Sequence, residues 1–385
     1  MGNDKILKSV LDGRRKYLSK VQGSLIGGAA GDALGYTVEF VHYYDIRRMY
    51  GPAGITEFET DHGYAHISDD TQMTMFTASG LLYGETRMML QGNGNSPHTY
   101  VPFAYRDWLY TQDKRCKPDY ITSWLVSIPE LHNRRAPGTT CMSALSSGKI
   151  GSMNDPLNNS CGCGGVMRAA PVGLFYGQYY DQLSDENLIR AGAETAAITH
   201  GHPWGYIPAG MLSLLIKKAA FSSDKLHEIV TCCLEETGNV FGENKDWAGF
   251  ERVIQKAIDF SHNDKNDFDN IRNIGEGWVG HEALAIAIYA ALRYEFSFSD
   301  GIIAAVNHDG DSDSTGSICG NILGAYLGME GIDGKWQEKL ELKDTILELG
   351  TDLCDHCHMD ESGNFEDPNW LRKYVDICGL NGEAA

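Results

Sequence analysis

The stretch Asn307–Gly328, NHDGDSDSTGSICGNILGAYLG, joins two features that a chain seldom sets side by side. Aspartates stand at 309, 311 and 313, and glycines follow at 316, 320, 324 and 328. A four-residue step advances about 400° around an α-helix, so these glycines form one slowly drifting stripe. Each interior glycine costs roughly 0.8–1 kcal/mol relative to alanine, so four cost about 3–4 kcal/mol. Close approach of a second helix can offset that, because small residues let two backbones touch. The same spacing recurs in GSLIGGAAGDALGYTVEF, with glycines at 23, 27, 31 and 35. The sequence therefore predicts two glycine-striped helices paired in a core. Both segments are too short and too charged to span a bilayer.

Outside the stripes, helical periodicity dominates. Apolar residues recur at three- and four-residue steps in segments 70–84, 205–221, 224–241, 250–261, 280–294 and 300–308. Strictly alternating β-branched runs are nearly absent, so the expected class is all-α. Loops are marked by HNRRAPGTT (132–140) and GSMNDPLNNSCGCGG (151–165). The 385 residues suit a single domain, 1–385, with the more polar segment 334–385 as a peripheral C-terminal appendage.

The formal net charge of −20 argues against nucleic-acid binding and against anionic membranes. The first twenty residues, MGNDKILKSVLDGRRKYLSK, are charged throughout and offer no apolar signal segment. Ten cysteines are scattered without framework spacing. These features predict a cytoplasmic protein with reduced thiols.

The acidic half of the opening stretch has a counterpart in Ser68–Thr71, SDDT, just before a helical run. A Ser or Asp at a helix start caps an orphan backbone N–H, and one such residue is enough. Capping accounts for one residue of SDDT well and for DGDSDS poorly. If the two helix tips converge, Asp69, Asp70, Asp311 and Asp313 crowd together and cannot all stay ionised without counter-charge. Carboxylates with the hydroxyls of Ser68 and Ser314 form a hard oxygen set, suited to magnesium, with manganese as the alternative. Two ions would suit such a set. An EF-hand loop from Asp309 fails, because Ser314 and Gly320 stand where Gly and Glu are needed. Asp311, Asp313 and Thr315 match an aspartyl-nucleophile phosphatase pattern, but NHDG replaces the required preceding strand. CDHCH (354–358) is too tightly bunched for an ordinary zinc site.

Six segments occur in one order: GDALGYTVEF, SDDTQMT, CGCGGVMRAAPVGLF, THGHPWGYIPAG, GEGWVGHEALAIAIYAAL and GDSDSTGSICGNILGAYLG. Together, over about residues 20–330, they resemble the ADP-ribosylglycohydrolase family, which includes dinitrogenase-reductase-activating glycohydrolase and ADP-ribosylarginine and ADP-ribosylserine hydrolases. The resemblance implies a compact, orthogonal multi-helix bundle around two Mg2+ ions. It implies metal ligands at Ser68, Asp69, Asp70, Asp311, Asp313 and Ser314, with Asp313 bridging. Serine stands at 68 and 314 where many members have threonine, and the hydroxyl is kept. Glu39 matches a glutamate that gates the site or orders water. Gly162, Cys163, Gly164 and Gly165 resemble the ADP-ribose-binding loop, whose backbone N–H groups face phosphates. His200 in THGHP is expected near the diphosphate, and Arg168 is expected to brace the fold.

The implied reaction is magnesium-dependent hydrolysis of the N-glycosidic bond of ADP-ribosyl-arginine on a modified protein, with Asp69, Asp313 and Glu39 as catalytic residues. The arginine linkage rests on Ser314 and the VEF segment, and Asp107 is the expected acidic partner for the guanidinium. The alternatives are a hydrolase of another linkage, such as O-linked serine or free ADP-ribose derivatives, and a non-catalytic ADP-ribose-binding or immunity protein.

Overall fold

A computed structural model describes residues 2–92, 96–178, 183–360, 363–365 and 367–381. Its described residues form sixteen α-helices and no strand, with only isolated β-bridges. Six helices build or support the acidic tips and their surroundings: α1 (Gly2–Tyr36), α2 (Asp69–Gln91), α3 (Pro203–Phe221), α4 (Gly280–Arg293), α5 (Ser312–Leu327) and α6 (Lys343–Asp355). The apolar spacing predicts α3 and α4 at 205–221 and 280–294, close to their observed bounds. Both are buried along most of their length, as expected of helices apolar on several faces.

The two glycine stripes meet. A Cβ built on Gly23 would lie 2.6 Å from Gly324 O, on Gly27 2.3 Å from Gly320 O, on Gly31 2.0 Å from Gly316 O, and on Gly35 2.1 Å from Ser312 O. Position numbers rise on one helix as they fall on the other, so α1 and α5 run antiparallel. Only glycine fits at these crossings, where carbonyl oxygens press on the opposite backbone. Ser24 Oγ adds a hydrogen bond to Asn321 O at 3.0 Å. The pairing places the C-terminal end of α1, and with it Glu39, beside the N-terminus of α5.

Residues past Gly334 do not stand apart. Trp336, Leu349, Leu353, Trp370 and Tyr374 are buried and belong to the same hydrophobic cluster as α1 and α4. Glu85 on α2 ties this segment down: His356 Nδ1 lies 2.9 Å from Glu85 Oε1, and Cys357 N donates to Glu85 Oε2 at 3.0 Å. Among the described residues the cysteines form no disulfide. Among the described residues no helix is long and apolar enough to cross a membrane.

Candidate functional site

Helix α1 positions both acidic tips. The stripe fixes α5, and a buried acid on the same helix fixes α2. Asp32 is fully buried, and its carboxylate accepts from Ser68 N and from Thr71 N, each at 3.1 Å, and from Thr71 Oγ1. The first turn of α2 is thereby held against α1, with Ser68 as its cap: Asp70 N donates to Ser68 Oγ at 3.2 Å. Asp311 caps α5 in the same way, accepting from Ser314 N. Capping occupies one residue of each tip and leaves the other acids free to face inward.

They face one cleft. A cavity of about 340 Å3 is lined by Glu39, Asp69, Asp70, Asp311, Asp313 and Ser314. Gly162, Cys163, Gly164 and His200 line it as well. Ser68 is fully buried just beneath. Two helix N-termini point into this cleft, and their partial positive charge favours anionic groups there. Asp69 Oδ2 accepts from Gly138 N at 3.0 Å, Asp313 Oδ1 from Ser314 N at 2.9 Å, and Asp311 Oδ2 from Cys163 Sγ at 2.7 Å. Asp70 Oδ2 is buried with no hydrogen-bond partner.

Such crowding is costly. Burial, reinforced by the neighbouring acids, drives Asp69, Asp70 and Asp311 well above the usual carboxylate range. Burial also raises Asp313, against the pull of its hydrogen bonds. Asp32 is pushed up to about 7 and Glu39 to about 9, in each case by burial first and by Asp313 second. Six acids share this region, and no lysine or arginine lines the cleft. A hard divalent cation is the counter-charge these donors would suit: carboxylate and hydroxyl oxygens, with one carboxylate oxygen, Asp70 Oδ2, left unpaired. Among the described residues no group of three or more His, Cys, Asp and Glu side chains is gathered closely enough to hold a metal ion as the side chains stand.

The glycine loop divides its labour. Gly162 and Gly164 lie against His200; a Cβ on Gly164 would come 2.9 Å from His200 Cε1. Gly165, expected with them on the ligand, instead lets the chain pass under Gly205 O, 2.7 Å from where its Cβ would be. Burial pushes His200 down to about 3, so it is neutral, with Nδ1 2.9 Å from Thr199 Oγ1. Arg168 is fully buried, donates to Thr199 Oγ1 at 2.6 Å and lies over the Tyr105 ring. Its role is structural. His202 caps α3, accepting from Trp204 N.

Two acidic residues lie elsewhere. Asp107, expected to meet a guanidinium, is fully buried away from the cleft lining. Its Oδ2 accepts from Thr122 N, Thr122 Oγ1 and Ser123 N at 2.7–2.8 Å, so it organises the turn at 122–123. Asp309 accepts from Tyr43 N at 2.6 Å, which secures the helix Tyr43–Tyr50. Sequence reasoning missed Asp32. Its signal was an acid inside the otherwise small and apolar run SLIGGAAGDALG.

A family model for ADP-ribosylglycohydrolase matches residues 13–363. The chain is 26% identical to ADP-ribosylhydrolase ARH1 of Dictyostelium discoideum, over 57% of this chain and 69% of that one. It is 24% identical to ADP-ribosyl-[dinitrogen reductase] glycohydrolase of Rhodospirillum rubrum, covering 83% and 90%. To ADP-ribosylhydrolase ARH3 of Homo sapiens it is 22% identical, covering 86% and 91%. A solved ADP-ribosylglycohydrolase-related protein complex shares the fold, with a TM-score of 0.60 and 20% identity over 89% of this chain and 99% of that one. With a family match across nearly its whole length, laid over two acidic helix tips and a glycine loop on one cleft, the chain belongs to the ADP-ribosylglycohydrolase family of hydrolases.

Proposed function

We propose that this protein hydrolyses the N-glycosidic bond joining ADP-ribose to an arginine side chain of a modified protein, with two magnesium ions as cofactors. The observation that carries the reading is the convergence of Asp69, Asp70, Asp311, Asp313 and Glu39 on one cleft beside the Gly162–Gly164 loop. Ser68, Asp69, Asp70, Asp311, Asp313 and Ser314 would hold the ions. Bound there, the ions would supply positive charge that orients the terminal ribose hydroxyls and stabilises charge at the reacting centre.

The chain's own groups do the rest. Gly162 N and Cys163 N are engaged by Ser160 Oγ and Trp278 O, so the loop meets the diphosphate through the backbone N–H of Gly164, which reconciles an acidic protein with an anionic ligand. His200, neutral and buried, lines the cleft against that loop. Asp69 or Glu39, which bound cations would hold ionised against the effect of burial, accepts a proton from the attacking water. The water oxygen bonds to the anomeric carbon as the carbon–nitrogen bond breaks, and the electron pair leaves on the guanidine nitrogen, which takes up a proton. Holding water and anomeric carbon together supplies much of the acceleration.

Arginine linkage is supported by Ser314 and by the VEF segment. The test is release of free ADP-ribose from arginine-modified and from serine-modified protein, with magnesium and with EDTA. Release from the arginine conjugate only with magnesium is expected. Binding without turnover of either conjugate refutes the hydrolase assignment, and preference for the serine conjugate refutes the linkage.

A further inference from the structure

The segment Gly275–Gly280, GEGWVG, takes no part in the proposed hydrolysis, yet its backbone straps the two halves of the site together. Cys163 N donates to Trp278 O at 3.2 Å, and Gly280 N to Cys161 O at 2.8 Å. At the other end Asp311 N donates to Glu276 O at 2.9 Å. Gly310 there has φ +148°, and a Cβ on it would lie 1.9 Å from Glu276 O, so the strap rests directly on the acidic loop. Glu282 closes the turn, accepting from Glu276 N and Gly277 N. Two outward side chains, Glu276 and Trp278, are therefore fixed relative to the cleft.

Trp278 lines the catalytic cleft on one side and a second cavity, of about 550 Å3, on the other. Phe40 stacks on its ring, with centroids 5.2 Å apart and planes at 18°. Phe40 is 70% exposed and Trp278 36% exposed. Phe40 also holds φ +64°, a left-handed conformation that costs a bulky residue of order 1–3 kcal/mol. A strained, exposed ring beside Glu39 is poorly explained by packing and fits a contact surface. The second cavity carries the carboxylates of Glu276, Glu282 and Asp309 against a single cation, Arg272. His308 there is buried and bonded to Thr315 Oγ1 at 2.9 Å.

We propose that the rim of the cleft at Phe40 and Trp278, where Trp278 joins the cleft to this second cavity, is the acceptor-side subsite, in which the two rings offer their free faces to the guanidinium of the modified arginine while Glu276 draws in its cationic polypeptide flank. A guanidinium stacks well on aromatic faces and is attracted by their charge distribution. A serine-linked substrate presents no such cation. The proposal deepens the arginine reading and rests on it.

The probe is agmatine, a guanidinium without ADP-ribose, titrated calorimetrically into the protein saturated with magnesium and ADP-ribose. Wild type is expected to bind it. Trp278→Ala should weaken agmatine about tenfold and Glu276→Gln about threefold, while Trp278→Phe retains most of the affinity. Free ADP-ribose, titrated alone, should change less than threefold in Glu276→Gln, and unchanged far-ultraviolet circular dichroism shows that each variant folds. No agmatine binding by wild type, unchanged binding in Trp278→Ala, or loss of agmatine and ADP-ribose together in Glu276→Gln overturns the proposal. Agmatine bound through Trp278, but with no ADP-ribose released from the arginine conjugate, leaves the subsite standing and removes the hydrolase assignment.

Discussion

Substituting Gly316 with alanine separates two effects that usually travel together. Alanine is the better helix former by roughly 0.8–1 kcal/mol, so propensity alone predicts a more stable protein. The structure predicts the reverse. A Cβ at 316 would lie 2.4 Å from Gly31 O and 2.7 Å from Val306 Cγ1, whereas ordinary contact begins near 3.4 Å. The opposing oxygen belongs to backbone, so α1 and α5 must part by about 1 Å at that crossing. Overpacking of this kind costs typically 1–3 kcal/mol, which leaves a net loss of about 0–2 kcal/mol after the propensity gain. Gly316 lies three residues past Asp313, so the displacement reaches the site. A misplacement of about 1 Å at reacting groups can cost on the order of 100-fold in rate.

Gly13 is the control. It lies in α1 with nothing within 4 Å of its would-be Cβ. Gly13→Ala should stabilise by about 0.8–1 kcal/mol and leave turnover unchanged. The assay is denaturant unfolding of both variants, alongside ADP-ribose release from an arginine conjugate. If Gly316→Ala matched Gly13→Ala in midpoint and in rate, the glycine-locked pairing of α1 and α5 would be wrong.

Three further outcomes rest on named groups. The cluster carboxylates titrate above their unfolded values, so they favour the metal-free fold at low pH, and that contribution is lost as pH rises through about 7 for Asp32 and about 9 for Glu39. Magnesium should therefore raise Tm strongly at pH 8 and little at pH 5. At 100-fold over Kd each site contributes about 2.7 kcal/mol, and a chain of 385 residues has an unfolding entropy near 0.8 kcal/mol/K, giving about 3 °C per ion by scanning fluorimetry. Asp32→Asn, which leaves one acceptor for the three donors of Ser68 and Thr71, should lower magnesium affinity tenfold or more with circular dichroism unchanged. Burial pushes His308 down to about 4, so its contribution to stability is present above its unfolded value near 6.5 and lost as pH falls through 4. His308→Gln should flatten the acid limb of the Tm profile by up to about 3 kcal/mol.

The parts of this fold written in local pattern are legible in the sequence. Glycines every four residues specify a close helix crossing, because no other residue removes the Cβ. Paired Ser and Asp at 68–70 and 311–314 exceed what caps require, and the excess faces the cleft. Facing and distance are not legible in the same way. Asp107 is suggested by its separation from SDDT, but chain separation carries no information about which side of the helix Val101–Gln112 meets the cleft. The polarity of the C-terminal segment suggests an appendage, although Ile346, Leu349 and Leu353 keep helical spacing and bury one face of α6. Trp278 and Phe40 lie far apart in the chain, and only the fold brings their rings together.

The proposed chemistry turns on two acidic helix tips, held by one glycine-striped helix, forming a dinuclear cation site. Manganese binding followed by electron paramagnetic resonance, in wild type and in Asp313→Ala, tests it most directly. Two ions per chain in wild type, with their spins coupled, and loss of that coupled signal in Asp313→Ala is the predicted result. Absence of bound manganese in wild type, or an unaltered coupled pair in Asp313→Ala, would contradict it.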